Sequence, residues 1–163
     1  MGATETVNDV NTTSPEVQVL NEGYGPGAWH GPDLKAALSD VDATLAFWRP
    51  SPARHNIAEI ALHHAFVVRS VRAQISGEPA RSFILEGKDW FALSGNAAPA
   101  WATVLEVLDT EQRELEEIVR DVVIGRHASP IDERERFKLV LGLTCHAVYH
   151  AGQVQLIKRL HTA

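Results

Sequence analysis

The chain has 163 residues, of which 45% are hydrophobic and 22% charged, so one domain with an ordinary hydrophobic core is expected without disulfide bonds. Its 15 Lys and Arg against 21 Asp and Glu give a formal charge of −6, which argues against nucleic acid as a partner because non-specific phosphate binding needs a concentrated basic face. No apolar run approaches the roughly 18 residues that span a bilayer, so no membrane partner is expected, and a single cysteine with a polar, acidic N-terminus predicts a cytoplasmic protein.

The first 22 residues contain four acids and no base, are rich in Thr and Asn, and show no sustained hydrophobic period. This composition predicts a flexible acidic arm. A turn follows it, because residues 22–27 read Glu-Gly-Tyr-Gly-Pro-Gly. The folded domain is therefore expected over residues 23–163.

Two amphipathic helices are predicted next, each from apolar residues at spacings of three and four. The first begins at Pro32 or Asp33 and runs to about Trp48, where a proline-rich segment ends it. The second begins at Asn56, because its side chain can cap the backbone N–H of Glu59 and the Glu59 side chain can reach back. A glycine and a proline end this second helix.

A long connection and two further helices complete the predicted domain. The connection, over residues 77–99, is rich in aromatic side chains, which indicates an ordered loop packed on the helices. The third helix begins at Pro99 or Ala100, and the fourth runs from about Asp132 to Leu160. Long helices and the lack of a strand pattern predict an all-α fold, a four-helix bundle.

A pair of histidines in the fourth helix is the first candidate for chemistry. His146 and His150 lie four residues apart, so their side chains share one helix face. That face is otherwise apolar and is expected to point inward, where an imidazole needs a hydrogen-bond partner or a metal ion. His63 and His64 interrupt the apolar second helix, and one of them could complete a three-nitrogen set. Such a set leaves coordination positions open, which is typical of a catalytic metal site.

The spacing leaves open whether His63 or His64 is the third ligand, because His64 lies on the main apolar stripe and His63 beside it. Glu59, one turn before His63, could accept a hydrogen bond from a ligand imidazole, although the capping role alone is favoured. It is also the nearest candidate for a general base, and no catalytic residue is assigned.

Three further residues with reactive or polar side chains are expected to have structural roles. His30 precedes the first helix and is expected in a local turn or packing role, with a position near the metal as the alternative. Cys145 is expected to be a small core residue rather than a nucleophile. Tyr149 is also expected in the core, although its hydroxyl could donate near the metal.

The segments around these histidines resemble the motifs of a known family. Residues 55–65, His-Asn-Ile-Ala-Glu-Ile-Ala-Leu-His-His-Ala, are similar to its Ser-Ile-x-Glu-x-x-x-His-x-Ala helix start. Residues 145–154, Cys-His-Ala-Val-Tyr-His-Ala-Gly-Gln-Val, are similar to its His-x-x-x-His-x-Gly-Gln-Ile signature. Ala-Trp-His-Gly-Pro at residues 28–32 and Phe-Ile-Leu-Glu-Gly at residues 83–87 also resemble family segments. From about residue 24 onward, the chain resembles the DinB-like superfamily of damage-inducible bacterial proteins.

The resemblance implies an up-and-down four-helix bundle with a three-histidine site for one divalent ion, nickel or zinc before iron or copper. By position in the motifs it assigns the metal ligands to His63, His146 and His150, and so favours His63 over His64. It also implies a homodimer and an enzyme acting on a small molecule, either a thiol S-transferase with a thiol and an electrophilic substrate or a hydrolase. A non-catalytic metal-binding protein or a stress-related dimeric scaffold is the alternative.

Overall fold

The computed structural model describes residues 14–94 and 98–162. Within these ranges the chain forms α-helices and no β-strand, so the prediction of an all-α fold is confirmed. No helix in the described ranges is both long enough and apolar enough to cross a membrane. The helices are α1 (Pro15–Tyr24), α2 (Leu34–Leu38), α3 (Ala43–Phe47), α4 (Ile57–Ser76), α5 (Trp101–Val123) and α6 (Glu133–His161).

Side-chain caps determine where most of these helices begin. Four of the helices are preceded by an Asp or Asn whose backbone is extended. The side-chain oxygen of this residue accepts a hydrogen bond from the backbone N–H three residues further on, which satisfies a donor that the helix leaves unpaired. At its other end α4 stops at Gly77, whose φ of 74° is the left-handed conformation that favours glycine. The predicted limits of the second and fourth helices are therefore confirmed to within one residue. The four caps are Asp33 on α2, Asp42 on α3, Asn56 on α4 and Asp132 on α6.

The prediction of one continuous helix from Pro32 or Asp33 to Trp48 is wrong, because the stretch forms two short helices, α2 and α3. Asp42 explains the break. Its carboxylate accepts a hydrogen bond of 2.9 Å from the backbone N–H of Leu45, which begins a new helix. Aspartate is favoured at caps over helix interiors because its side chain competes for backbone N–H groups.

The predicted flexible arm over the first 22 residues is also wrong where the structure describes it. The segment from Pro15 onward belongs to α1, whose apolar face is buried against α5 and α6. The guanidinium of Arg136 on α6 donates to both carboxylate oxygens of Glu16 on α1, at 2.8 and 3.1 Å, and both side chains are buried. Residues 1–13 lie outside the described residues.

Two clusters of buried apolar side chains join the helices. α4 packs against α5 and α6, and α1 packs against α6 and α5. Val17, Leu115 and Val140 belong to the cluster that joins α1, α4, α5 and α6. Leu62 and Leu108 belong to the second cluster, which adds α2 and the loops beside it. α4 and α6 therefore meet inside the core, where the candidate histidines lie.

The long connection between α4 and α5 is ordered against the helices in its described part, as predicted. Phe91 and Leu93 are buried, and the rings of Phe83 and Phe91 contact that of Phe66 with centroids 5.3 and 5.5 Å away. The backbone N–H of Leu93 donates to the carboxylate of Glu59 at 2.8 Å. These contacts hold the connection beside the middle of α4.

Candidate metal centre

Three imidazoles converge where α4 faces α6. Nε2 of His146 lies 3.1 Å from Nε2 of His63 and 3.1 Å from Nε2 of His150. One nitrogen from each residue lies within 4.8 Å of the others, which is close enough for the three to ligate one ion. The structure thus brings together the three histidines that the family resemblance singled out, and together they could hold a metal ion.

Helix geometry positions the two imidazoles that α6 contributes to the centre. The i, i+4 spacing within α6 then places the rings of its two histidines 4.3 Å apart.

The outer nitrogens of His63 and His150 both face oxygen atoms. Nδ1 of His63 lies 3.0 Å from the carbonyl oxygen of Asp89 and 2.9 Å from its carboxylate. Nδ1 of His150 lies 2.6 Å from Oε1 of Gln153. These oxygens only accept hydrogen bonds, so each Nδ1 carries the proton and donates it. Nε2 of each ring is then left with a lone pair directed at the centre, as in metal-bound histidines.

His64 occupies a different position from His63. Its Nδ1 lies 2.8 Å from Nδ1 of His146, on the side of that ring away from the converging Nε2 atoms. The side chain is 1% exposed. His63 therefore lies with the converging nitrogens, whereas His64 lies behind His146.

Burial keeps the imidazoles of His146, His150 and His64 neutral. Burial, together with the neighbouring imidazoles of His150 and His63, lowers the pKa of His146 from 6.5 to about 4. Burial also lowers the pKa of His150 to about 4, although the hydrogen bond that His150 donates to Gln153 partly opposes this shift. The pKa of His64 lies well below its ordinary value, chiefly because that ring is buried. At neutral pH these rings therefore hold the lone pairs that a metal ion requires.

The connection between α4 and α5 supplies a cover for this centre. The indole of Trp90 stacks on the imidazole of His63, with ring centroids 3.9 Å apart. The same indole also stacks on the imidazole of His55, with ring centroids 3.8 Å apart. Asp89 has a φ of 65°, uncommon for a residue other than glycine, and this conformation accompanies the two contacts of Asp89 with His63.

Sequence reasoning did not assign roles to Asp89, Trp90 and Gln153. Gln153 stands inside the signature that carries the family resemblance, so its position was a usable signal. Asp89 and Trp90 lie in the irregular connection, where no period indicates which side chain faces the helices. Only the folded path of the connection brings these two residues to His63.

Glu59 is engaged away from the converging histidines. Its backbone N–H donates to Oδ1 of Asn56 at 2.8 Å, so the predicted cap by Asn56 is confirmed, whereas the side chain of Glu59 does not make the predicted return contact and bonds to other groups. Its carboxylate, 1% exposed, accepts from the guanidinium of Arg49, from the N–H of Leu93 and from Nδ1 of His55. Burial alone would raise the pKa of Glu59, but these hydrogen bonds lower it below its ordinary value. The alternative in which Glu59 supports a ligand imidazole is therefore wrong within the described part of the chain.

Three other expectations can be compared with the structure. Nε2 of His30 lies 2.6 Å from the carbonyl oxygen of Glu22 and the ring is exposed, so its expected local turn role is confirmed. Cys145 and Tyr149 are exposed on α6, so their predicted core positions are wrong. The Tyr149 hydroxyl oxygen accepts a hydrogen bond of 3.2 Å from the side-chain amide of Gln153.

The fold and the site together define an all-α protein in which two packed helices present three imidazoles to one point. The sequence model of the DinB superfamily matches residues 28–154, and the chain belongs to this superfamily. The matched range contains all three converging histidines. No curated protein and no solved structure was found to match the chain.

Proposed function

We propose that this protein holds one divalent metal ion through Nε2 of His63, His146 and His150. The observation that carries the proposal is that the three Nε2 atoms converge while Nδ1 of His63 and of His150 faces an acceptor oxygen, which leaves Nε2 of those two rings unprotonated. Three neutral imidazoles suit zinc, nickel, copper or iron, and availability commonly decides among them. We propose nickel or zinc as the ion, in line with the family resemblance.

The four longer helices α1, α4, α5 and α6 are proposed to be the helices of an up-and-down bundle. Each of them packs against two of the others, which supports this arrangement. In this proposal α1 is one of the four bundle helices, in place of the single helix that the sequence predicts for the stretch of α2 and α3. The metal ligands then come from two neighbouring helices of the bundle core, where ligands of bundle proteins are commonly found.

The proposed activity is a metal-dependent reaction on a small molecule, either transfer of a thiol to an electrophilic substrate or hydrolysis. An ion held by three neutral ligands keeps its positive charge and lowers the pKa of a coordinated thiol or water, which supplies a nucleophile near neutral pH. In this proposal His63, His146 and His150 hold the ion, and the hydrogen bonds of their outer nitrogens orient the three rings. Tyr149 accepts from Gln153, so the hydrogen of its hydroxyl is available to an acceptor on a substrate.

Elemental analysis of protein purified without a histidine tag tests the metal centre. We expect about one ion per chain in the wild type and loss of that ion in His150→Ala, because one of three ligands is removed. The variant His127→Ala is the matched control, since His127 bonds to the carbonyl oxygen of Ser76 instead. A wild type without bound metal, or full loading of His150→Ala, would contradict the proposed centre.

The activity is tested by following metal-dependent loss of a low-molecular-weight thiol in the presence of a reactive electrophile, and by hydrolysis of activated esters and amides. Equal rates for the wild type and His150→Ala would rule out catalysis at this centre.

Metal binding without turnover is the second candidate. The observation that favours it is that the ligands come from α4 and α6, so a bound ion would tie together two helices of the core. This candidate predicts a large fall in thermal stability on chelation and no metal-dependent consumption of any thiol, ester or amide.

A homodimer is proposed from the outer face of α6. Along this helix of 29 residues a stripe of large apolar side chains is exposed, and contiguous apolar patches commonly mark interaction surfaces. Sedimentation equilibrium should give a dimer for the wild type and a monomer for Leu156→Glu, with Ile124→Glu, just after α5, as the matched control. A monomeric wild type would contradict the proposal. The stripe, 37–64% exposed, consists of Phe137, Leu141, Val148, Tyr149, Leu156 and Leu160.

A further inference from the structure

His64 is a buried histidine that the three-nitrogen set leaves unexplained. It follows His63 directly on the apolar helix α4 and is 1% exposed. A buried imidazole costs free energy unless its nitrogens find partners, so an apolar side chain would be the ordinary choice here. Its Nδ1 instead lies 2.8 Å from Nδ1 of His146, with the two rings 19° from parallel.

This contact differs from the outer contacts of the other two histidines. The oxygens of Asp89 and Gln153 only accept, so they fix the proton of His63 and of His150 on Nδ1 whatever else happens. Between His146 and His64 a nitrogen faces a nitrogen, and one must donate while the other accepts. The proton position of His146 is therefore decided jointly by this pair and by what its Nε2 faces.

We propose, on the basis of the metal centre above, that His64 is a positioning residue for that centre. His64 accepts a hydrogen bond through its Nδ1 from Nδ1–H of His146. A neutral imidazole carries one proton, so Nε2 of His146 is then unprotonated and directed at the ion. His64 itself carries its proton on Nε2. In the metal-bound protein His64 therefore keeps the proton of His146 on Nδ1, as Asp89 does for His63 and Gln153 does for His150.

Removal of the ion reverses the direction of this hydrogen bond. Nε2 of His146 lies 3.1 Å from two Nε2 atoms that hold lone pairs, so a proton on His146 Nε2 donates to one of them. Nδ1 of His146 then accepts from Nδ1–H of His64. Each ring is neutral and carries one proton in both arrangements, so the exchange moves the proton within each ring without net uptake or release. A carbonyl or carboxylate oxygen at the position of His64 Nδ1 could accept from Nδ1–H of His146 in the metal-bound protein. It could not donate to Nδ1 of His146 after the ion is removed.

Zinc affinity of His64 variants is the first test, measured by competition with a chromophoric chelator. We expect His64→Leu to bind Zn²⁺ about 10- to 100-fold more weakly than the wild type, the usual effect of losing a partner behind a metal ligand. His64→Asn should bind close to the wild type, because its amide can accept from or donate to His146. His127→Leu should be unchanged. A folded His64→Leu with wild-type affinity overturns this inference alone, whereas a wild type that binds no Zn²⁺ overturns the metal centre as well.

Nitrogen-15 NMR of the histidine rings is the second test and needs no variant to fold. In the Zn²⁺-loaded wild type we expect the proton of His64 on Nε2 and that of His146 on Nδ1. After chelation both should move to the opposite nitrogen. A proton on Nδ1 of His64 in the loaded protein, or a nitrogen of His64 bound to zinc, overturns the inference.

Discussion

The indole of Trp90 lies parallel to the imidazole of His63, at 5° and with ring centroids 3.9 Å apart. An ion bound to His63 would withdraw electron density from the ring on which Trp90 stacks. We therefore expect Ni²⁺ or Zn²⁺ to change the tryptophan fluorescence in a saturable way. Trp90→Phe should lose this response, whereas Trp29→Phe should keep it, because Trp29 is 87% exposed and contacts His30. An unchanged response in Trp90→Phe would contradict the inference that an ion bound to His63 changes the fluorescence of Trp90.

Gln153 should be needed for tight metal binding. Its Oε1 accepts from Nδ1 of His150 and so fixes the proton of that ring on the outer nitrogen. We expect Gln153→Leu to weaken Zn²⁺ binding about 10- to 100-fold. Gln153→Glu should bind near or above the wild-type level because a carboxylate accepts at the same place. Gln155→Leu, on the same helix, is the control, and equal affinities of Gln153→Leu and Gln155→Leu would contradict the prediction.

Without metal, the stability of the protein should fall as the solution is acidified through the range between about pH 6.5 and pH 4. The folded-state pKa values of His146 and His150 are lowered to about 4, whereas the unfolded-state values are near 6.5. Between these values the unfolded chain binds protons that the folded chain does not, so the free energy of unfolding decreases as pH falls. Above pH 6.5 the contribution is constant.

Urea unfolding of chelator-treated protein at several pH values measures this effect. The double variant His146→Asn/His150→Asn should lose much less stability over the same pH range than the wild type. Equal slopes for the two proteins would show that the acid sensitivity comes from other groups.

Gly23 should be required where α1 crosses α6. A Cβ at this position would lie 2.6 Å from the backbone oxygen of Thr144 and 3.0 Å from Cβ of Ala147, too close without movement of a helix. We expect Gly23→Ala to lower the free energy of unfolding by about 1–3 kcal/mol. Gly142→Ala, in open space on α6, should be neutral or should raise it by up to about 1 kcal/mol. Urea denaturation compares the two, and equal stabilities would contradict this close approach.

The buried pair Glu16–Arg136 should make α1 an integral part of the fold. Arg136→Leu leaves the Glu16 carboxylate buried without its cation, which should cost about 3–5 kcal/mol. The double variant Glu16→Leu/Arg136→Leu should regain part of that loss, because no uncompensated charge remains. A double-mutant cycle by urea unfolding measures the coupling. Additive effects of the two changes would show that the pair contributes nothing.

The helix limits that sequence predicted well are those set by local chemistry. Asn56 and Asp132 cap their helices through contacts three residues away, and Gly77 ends α4 through its own backbone freedom. The stretch around Asp42 was mispredicted although the capping residue was visible. Its apolar stripe continues across the break, so the period alone could not show that the chain turns there.

The helix α1 was missed although Ser14 caps the backbone N–H of Val17 and Pro15 stands at its first position. It is short, and its apolar residues gain by burial only when α5 and α6 are present. Its polar composition, including Glu16, therefore indicated an arm. The partner that neutralises Glu16 lies 120 residues away in sequence, at Arg136.

An all-α protein of the DinB superfamily could be predicted from the sequence alone, as could the shared helix face of His146 and His150, because residues four apart lie on one side of a helix. The packing of α4 against α6 was needed to show that His63, and not His64, lies at the Nε2 atoms of that pair, since it sets which nitrogen of His146 each of the two buried rings faces. The tertiary structure also decided the surroundings of these rings: Asp89 accepts from His63, Trp90 stacks on His63, and Nδ1 of His64 faces Nδ1 of His146. Such contacts join segments far apart in the chain, so no local period or spacing encodes them.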